Sequence, residues 1–294
     1  MKIAFLACPA TLPGSPTRRP DAFEHDLYVD ALRAGIGNRG TVTDIDWRAP
    51  LETLAQFDAA ILGTPWDYTE AKDEFLARLG ELEQAGVTVC NPLAVVRWNS
   101  DKLYLKELGE RGAVTIPTLW PDRAGPGDVL AAFDHFRTDR VVVKRRVGAG
   151  AVGQDSFTRA APPSADWALG QAGMIQPFLP AIQQEGELSF IFIDGQLSHA
   201  LGKQARAGDY RIQSLYGGVE VALTPSPADR APAEAVLALL PFGAAPLYAR
   251  IDMVRLADGQ LAVIEAELIE PYLYPRQGSG FGAMLAEAVL RRLG

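Results

Sequence analysis

The 294-residue chain has little cysteine: Cys8 in IAFLACPA and Cys90 in VTVCNP, both apolar, strand-like runs. Two isolated thiols exclude a disulfide framework, offer no zinc-ligand spacing, and read as buried side chains. Positive charge is not in excess. The 28 Lys and Arg face 36 Asp and Glu, for a net −8 with no basic run, which argues against a nucleic-acid partner. No apolar stretch approaches the about 18 residues that would suggest a membrane span. The opening strand, MKIAFLAC, is too short for a leader and is followed by no cleavage-like segment, so a cytoplasmic location is expected. Internal repeats and low-complexity segments are absent. What remains is an ordinary globular composition, 48% apolar and 22% charged, long enough for two or three small lobes.

Up to about residue 95 the pattern alternates strand and helix. KIAFLAC, TVTDIDW, DAAILGTPW and VTVCNP read as strands. AFEHDLYVDALRAGI reads as a helix with Phe23, Leu27, Val29, Leu32 and Ile36 on a broad apolar face. TEAKDEFLARLGELEQAG reads as a second, opened by Thr69 as N-cap and closed by Gly86. This rhythm predicts a mostly parallel sheet with helices on its faces. The proline-rich stretch at 9–20 is either a loop at the ligand-binding end of that sheet or a disordered linker. Asn99 is then expected to cap a helix over SDKLYLKELGERG, with a strand at AVTIPTLW, a helix at GDVLAAFDHFRTD and a strand at RVVVK. Beyond these the pattern is α+β. Two hairpins turn at Asp194-Gly195 and Asp258-Gly259, RIQSLYGGVEVAL is strand-like, ADRAPAEAVLALLPF is helical, and GFGAMLAEAVLRRL closes the chain as a helix.

VVVKRRVGAGAVGQDS, residues 141–156, contains a literal G-x-G-x-x-G. A dinucleotide fingerprint needs a helix after the last glycine, to hold the pyrophosphate at its N-terminus. Gly153 instead leads into QDSFTRAAPPS, polar and without a helical period, so that reading fails. A plain flexible hairpin remains, as does a loop whose backbone N–H groups lie over phosphates. Lys144, at the end of the strand, favours the latter, because a lysine there can reach phosphate oxygens as a point charge.

The second feature is RIDMVRLADGQLAVIEAELIEP, residues 250–271. Strand alternation puts Glu265 and Glu267 on one face, with Ile264, Ala266 and Leu268 on the other. Asp252 can lie across the hairpin from the pair. Three converging carboxylates on an apolar hairpin repel one another unless a cation joins them, and Mg²⁺ takes such oxygens together with those of phosphates. A solvated acidic face is the ordinary alternative, and Glu270, before Pro271, can be a turn residue.

In order and spacing, TPWDY, NPLAVVRWNSDKLYLKEL, the Lys144 strand with its glycine loop, MIQPFLP, EGELSFIFIDGQLSHALGK, DYRIQSLYGG, RIDMV and VIEAELIEP resemble the ATP-grasp ligases. The chain is similar to glutathione synthetases and, more closely, to the small cyclo-ligases of cycloserine biosynthesis, the O-ureido-D-serine cyclo-ligase type. The resemblance covers roughly residues 55–294. It implies an α/β ATP-grasp fold with a pre-ATP-grasp βαβ domain at 1–98, a central α+β lid domain at 99–180 and a C-terminal α+β domain at 181–294. ATP and Mg²⁺ are the implied cofactors. By position, Lys102 and Lys144 would contact phosphates, and Gly148, Gly150 and Gly153 would mark the loop over them. Gln176, Phe178 and Leu179 would form the adenine edge, and Glu187, with Glu185, the ribose or adenine end. Arg211 would face the γ-phosphate and acyl phosphate, with Arg250 assisting, and Asp252, Glu265 and Glu267 would bind Mg²⁺. Three positions depart from the family pattern: Arg145 stands where proline often follows the lysine, Gly63 where relatives carry arginine before the TWDY-like stretch, and Glu267 where many enzymes have asparagine.

The implied reaction activates a small, amino-acid-like carboxylate as an acyl phosphate with release of ADP, and a nitrogen nucleophile then displaces phosphate. No covalent enzyme intermediate is expected. Ring closure of the cycloserine type, dipeptide or glutathione-like ligation, and non-catalytic ATP binding on the same fold are the options in that order. Arg211 speaks against the last, since binding alone does not require it. Candidate substrate contacts are Trp66, Asp67, Tyr68, the 9–20 loop, His199, Arg206 and Tyr272 to Arg276, with packing roles as alternatives. His25 and His135 read as surface or packing residues. The sequence itself does not give the oligomeric state; the resemblance, to enzymes that are often dimers or tetramers, makes a homodimer the candidate assembly.

Overall fold

The structure is a computed structural model, and it describes residues 1–148, 153–204 and 218–294. The first sheet is built from β1 (Lys2–Ala7), β2 (Thr41–Asp46), β3 (Ala59–Thr64) and β4 (Thr88–Cys90), all parallel in the order β2-β1-β3-β4. Helices α1 (Phe23–Ile36), α2 (Leu51–Leu54) and α3 (Lys72–Gln84) make the crossovers. β1 and β3 are apolar along nearly their whole length because helices cover both faces, as parallel sheets require. Gly63 lies in β3 against the Phe5 ring, where a Cβ would come within 2.0 Å of a ring carbon. The ring fills the space that an arginine side chain would need.

Helices α4 (Leu93–Asn99) and α5 (Tyr104–Glu110) lead out of this sheet. Helix α6 (Pro126–Phe136) then packs Val129, Ala132 and Phe133 on a small antiparallel sheet of β5 (Arg140–Arg145), β6 (Asp155–Thr158) and β7 (Gly173–Pro177), in the order β6-β5-β7. A larger antiparallel sheet comes after the short α7 (Ala181–Gln184). Its strands are β8 (Glu187–Ile193), β9 (Gln196–Gln204), β10 (Val219–Leu223), β11 (Tyr248–Arg255) and β12 (Leu261–Glu267), in the order β10-β9-β8-β11-β12. Helix α8 (Pro227–Ala238) supports β11 and β12, and α9 (Phe281–Leu293) returns to the start of the chain. There α9 packs on α1 through small residues. A Cβ on Gly282 would sit 2.2 Å from the Ala31 carbonyl oxygen, so glycine alone permits the approach. The joint core of α1, α9, β8 and β11 fastens the first sheet to the larger antiparallel one. No helix among the described residues is long and apolar enough to cross a membrane.

Four local expectations are corrected. AVTIPTLW is not a strand. Pro117 lacks the N–H that a ladder needs, and the segment makes single bridges instead, Thr115 with Val263 and Leu119 with Ile175, so it ties the two antiparallel sheets together. Asn99 does not open a helix but ends α4, and its buried amide clamps β12, donating to the Ala266 carbonyl at 2.7 Å and accepting from the Leu268 N–H at 2.8 Å. Thr69 lies inside a 3-10 turn over Trp66–Glu70, and α3 begins after Ala71 without a side-chain cap. Ile264 does not share the face of Ala266: a register shift in the β11–β12 hairpin carries it to the cleft, in an apolar cluster with Ile116 and Leu179.

Candidate active site

A cleft of about 770 Å³ opens between the small sheet and the larger antiparallel one. Alternation supplies both walls. On β5, Val141 and Val143 face α6, which leaves Val142 and Lys144 to line the cleft. On β11, Ala249, Ile251 and Met253 face the core, and Arg250 and Asp252 face the cleft. The hairpin register sets Asp252 opposite Glu265 and Arg250 opposite Glu267. Asp252, Glu265 and Glu267 offer carboxylate oxygens within 4.8 Å of one another. A hard, oxygen-seeking divalent cation fits that donor set.

Each of these carboxylates has a cation beside it. Lys102 Nζ lies 2.7 Å from Glu265 and also donates to the Gly148 carbonyl at 2.9 Å. Arg250 Nε reaches both Asp252 oxygens, at 3.1 and 3.0 Å, while its Nη2 bonds Glu267 and its Nη1 donates to the Tyr272 carbonyl at 3.1 Å. Lys203 Nζ bridges Glu187 and Asp252, at 3.2 Å from the latter, and Ser189 also donates to Asp252. Burial works against the Asp252 and Glu265 carboxylates, but Arg250 and Lys203 at the first, and Lys102 at the second, hold both below the usual range. Glu267 and Glu187 are pushed by burial up to about 7, with Arg250 and Lys203 respectively opposing the shift.

Lys144 differs from these cations. It has no hydrogen-bond or ion-pair partner among the described residues, and burial lowers its ammonium pKa, against the pull of Glu265. A cation held without such a partner in the wall of a cleft that also holds a carboxylate triad is set to receive an anion.

At the far end of the same wall, Gln176 donates to Thr118 at 3.0 Å, Phe178 donates its N–H to the Arg140 carbonyl and lies 3.8 Å from that guanidinium, and Leu179 completes an apolar floor. Gly148 lines the cleft. Gly153 lies back from the lining, packed so closely on Arg145 that a Cβ would meet its Nε at 2.3 Å. Strand β6, beyond the glycine run, pairs antiparallel with β5, so the run joins two strands rather than a strand and a helix. Glu185 is not at the cleft: it ends α7, before strand alternation begins at Glu187, and its carboxylate pairs with Arg255 at 3.1 Å. Gly150, Arg206 and Arg211 lie outside the described residues.

The remaining candidates divide. Trp66, Tyr68, Tyr272 and Tyr274 line the cleft, as does Arg19 from the 9–20 loop, which pairs with Asp21 and lies 5.0 Å from the Trp66 ring. Asp67 is a structural acceptor for the Trp47 indole, at 2.8 Å, and for Arg48. His199 packs edge-on to Phe281, away from the cleft lining. His25 is fully buried and bonds Thr64 at 2.7 Å, and His135 is exposed. Sequence reasoning missed Lys203, Ser189 and Glu24. Lys203 alone had a signal: a lysine inside an apolar strand, opposite Glu187 in the β8–β9 ladder.

Fold and site together define an ATP-grasp ligase. The ATP-grasp ligase PsnB, solved with a phosphomimetic variant of its minimal precursor, Mg and ADP, has the same fold: TM-score 0.66, 16% identity, 99% of this chain and 98% of that one. The particular family emerges from closer likenesses. Residues 3–91 match the model of the N-terminal domain of D-cycloserine synthetase DcsG. The cycloserine biosynthesis protein DcsG of Streptomyces lavendulae is 30% identical over 267 residues, 84% of this chain and 87% of that protein. The crystal structure of D-cycloserine synthetase DcsG matches over the whole of both chains with a TM-score of 0.81 and 26% identity. The chain belongs to the D-cycloserine synthetase family, in agreement with the resemblance that its motifs carry.

Proposed function

We propose that the protein is an intramolecular cyclo-ligase that activates the carboxylate of a small amino-acid-like molecule with ATP. The observation that carries this reading is Lys144, without a side-chain partner among the described residues, in one cleft with the Asp252–Glu265–Glu267 triad. Family membership supports the ring-closing direction, since the relative is a D-cycloserine synthetase. In this reading Lys144 and Lys102 hold phosphate oxygens, and Gln176, Phe178 and Leu179 seat the base. Glu187 bounds the ribose end, with Lys203 fixing its carboxylate. Asp252, Glu265 and Glu267 hold Mg²⁺, which when bound neutralises phosphate charge. Arg250 aligns two of those ligands, and Arg211 is assigned to the γ-phosphate.

The chemistry asks the chain for positioning and charge neutralisation rather than for a covalent group. A substrate carboxylate oxygen attacks the γ-phosphorus and ADP leaves. A nitrogen of the same molecule then attacks the acyl carbon and inorganic phosphate leaves, carrying the original carboxylate oxygen. That oxygen tests the sequence of steps. With ¹⁸O in the carboxylate of O-ureido-D-serine, one label per turnover is expected in inorganic phosphate, with ADP as the nucleotide product. AMP and pyrophosphate, with label in AMP, would mean adenylation instead.

A further inference from the structure

The three carboxylates of the cation site are not waiting bare. Glu265 is paired with Lys102, Asp252 with Lys203 and Arg250, and Glu267 with Arg250. These side chains are largely withdrawn from water: Lys203 is 5% exposed, Arg250 9%, Asp252 3% and Lys102 17%. A divalent ion arriving alone would have to take the carboxylates from these ammonium and guanidinium groups and leave each buried cation with only part of its partners, Lys102 with the Gly148 carbonyl, Lys203 with Glu187 and Arg250 with the Tyr272 carbonyl, and charge left short of a counter-ion in such a setting is costly. The cleft offers a release. Lys102, Lys203 and Arg250 all line the space where the phosphates of a nucleotide would lie, next to Lys144. Phosphate oxygens can take over those cations in the same step that frees the carboxylates for the metal, and Mg²⁺ prefers sites completed by phosphate.

We propose that Lys102, Lys203 and Arg250 act as exchangeable counter-ions that keep the triad closed to free divalent cations, so that metal and nucleotide enter only together. Lys203 is the critical member, because it also holds Glu187 and so couples the ribose end of the cleft to the metal ligands. The inference rests on the reading of the cleft as an ATP site. One consequence is protection: without nucleotide the enzyme does not trap adventitious metal. The second concerns charge: neutralising any one of these cations should open the triad to bare metal while weakening nucleotide binding.

The test uses Mn²⁺ as a paramagnetic probe. Free Mn²⁺ is measured by electron paramagnetic resonance with the full-length protein, with and without the ATP analogue bearing an imide between its β- and γ-phosphates. Nucleotide retention is followed separately by equilibrium dialysis. Wild type alone is expected to leave millimolar Mn²⁺ essentially free, whereas Lys203→Met and Lys102→Met each gain at least tenfold in metal affinity without nucleotide. Adding Asp252→Asn to Lys203→Met should cancel the gain. Lys102 is the more exposed of the two lysines, so its variant carries the test should Lys203→Met fail to fold, with thermal unfolding as the check. Wild type binding bare Mn²⁺ as tightly as a folded variant would overturn the exchange and leave the ATP reading standing. Failure of wild type to retain the analogue with metal would overturn the ATP reading, and the exchange with it.

Discussion

Two lysines that both feel the Glu265 carboxylate are held in opposite ways. Lys102 is satisfied by Glu265 and the Gly148 carbonyl, while Lys144 has no partner among the described residues. An unpaired ammonium withdrawn from water costs the fold and is useful only to a ligand. Lys144→Met is therefore expected to raise the melting temperature slightly and to weaken nucleotide binding by at least tenfold, measured by thermal unfolding and calorimetric titration on the same sample. Lower stability with unchanged affinity would place Lys144 in the scaffold instead. Glu24 makes the converse case for acids. Burial pushes its carboxyl up to about 8, with Arg250 opposing. Since the folded state holds this proton more tightly than the unfolded chain, stability falls as pH rises from the ordinary carboxylate range towards 8. Glu24→Gln should match wild type near pH 4.5 and exceed its stability by about 1–2 kcal/mol at pH 8, since a tenfold difference in proton affinity is worth about 1.4 kcal/mol before solvent relaxation. Chemical denaturation at the two pH values measures the difference.

At the scale of elements, the site depends on how the end of β12 is fixed. Asn99 clamps Ala266 and Leu268, Asn91 donates to the Leu268 and Tyr248 carbonyls at 2.8 and 3.0 Å, and the Tyr248 hydroxyl lies 2.8 Å from both the Leu62 and Ile269 carbonyls. Side chains from α4, the β4–α4 turn and β11 thus hold the strand that carries two metal-ligand candidates. Asn99→Ala leaves a buried carbonyl and N–H without partners and should cost about 2–4 kcal/mol. Mn²⁺ affinity in the presence of nucleotide should fall as well, because Glu265 and Glu267 flank the clamped residue. These clamps explain what the sequence could and could not reveal. The hairpin carboxylates were legible, because period-two alternation and an Asp-Gly turn are local properties of the chain. So was the Lys144 strand, whereas residues 149–152 of its glycine run lie outside the described residues. Asn99 looked like a helix cap because asparagine before an apolar period usually is one. Only contact with β12, more than 160 residues away, assigned its amide elsewhere. Glu185 was misplaced for a related reason: the strand phase begins at Glu187, and the helical turn before it rotates Glu185 out to Arg255.

At the scale of the molecule, the first sheet and the large antiparallel sheet share a core through α1 and α9, while the small sheet contributes the opposite wall of the cleft. The βαβ rhythm, the hairpins and their order along the chain mark the fold class in the sequence itself, because each is a repeating local pattern. Which residues meet across the cleft is a property of packing between sheets, and there the motif resemblance went further than periodicity. The partners of Lys203 entered only with the structure: a lysine in an apolar strand signals a buried cation but does not announce the two acids it joins. The proposed function makes one chemical demand of this arrangement, that ATP be split to ADP and phosphate only when a ligatable carboxylate is present. The most direct measurement is phosphate and ADP formation from Mg-ATP with O-ureido-D-serine, single amino acids and amino-acid pairs, each reaction followed by mass spectrometry. Stoichiometric ADP and phosphate, dependent on O-ureido-D-serine and accompanied by a cyclic product, is the expected result. A linear ligation product from amino-acid pairs, or phosphate release indifferent to any carboxylate, would contradict the assignment as a ring-closing ligase.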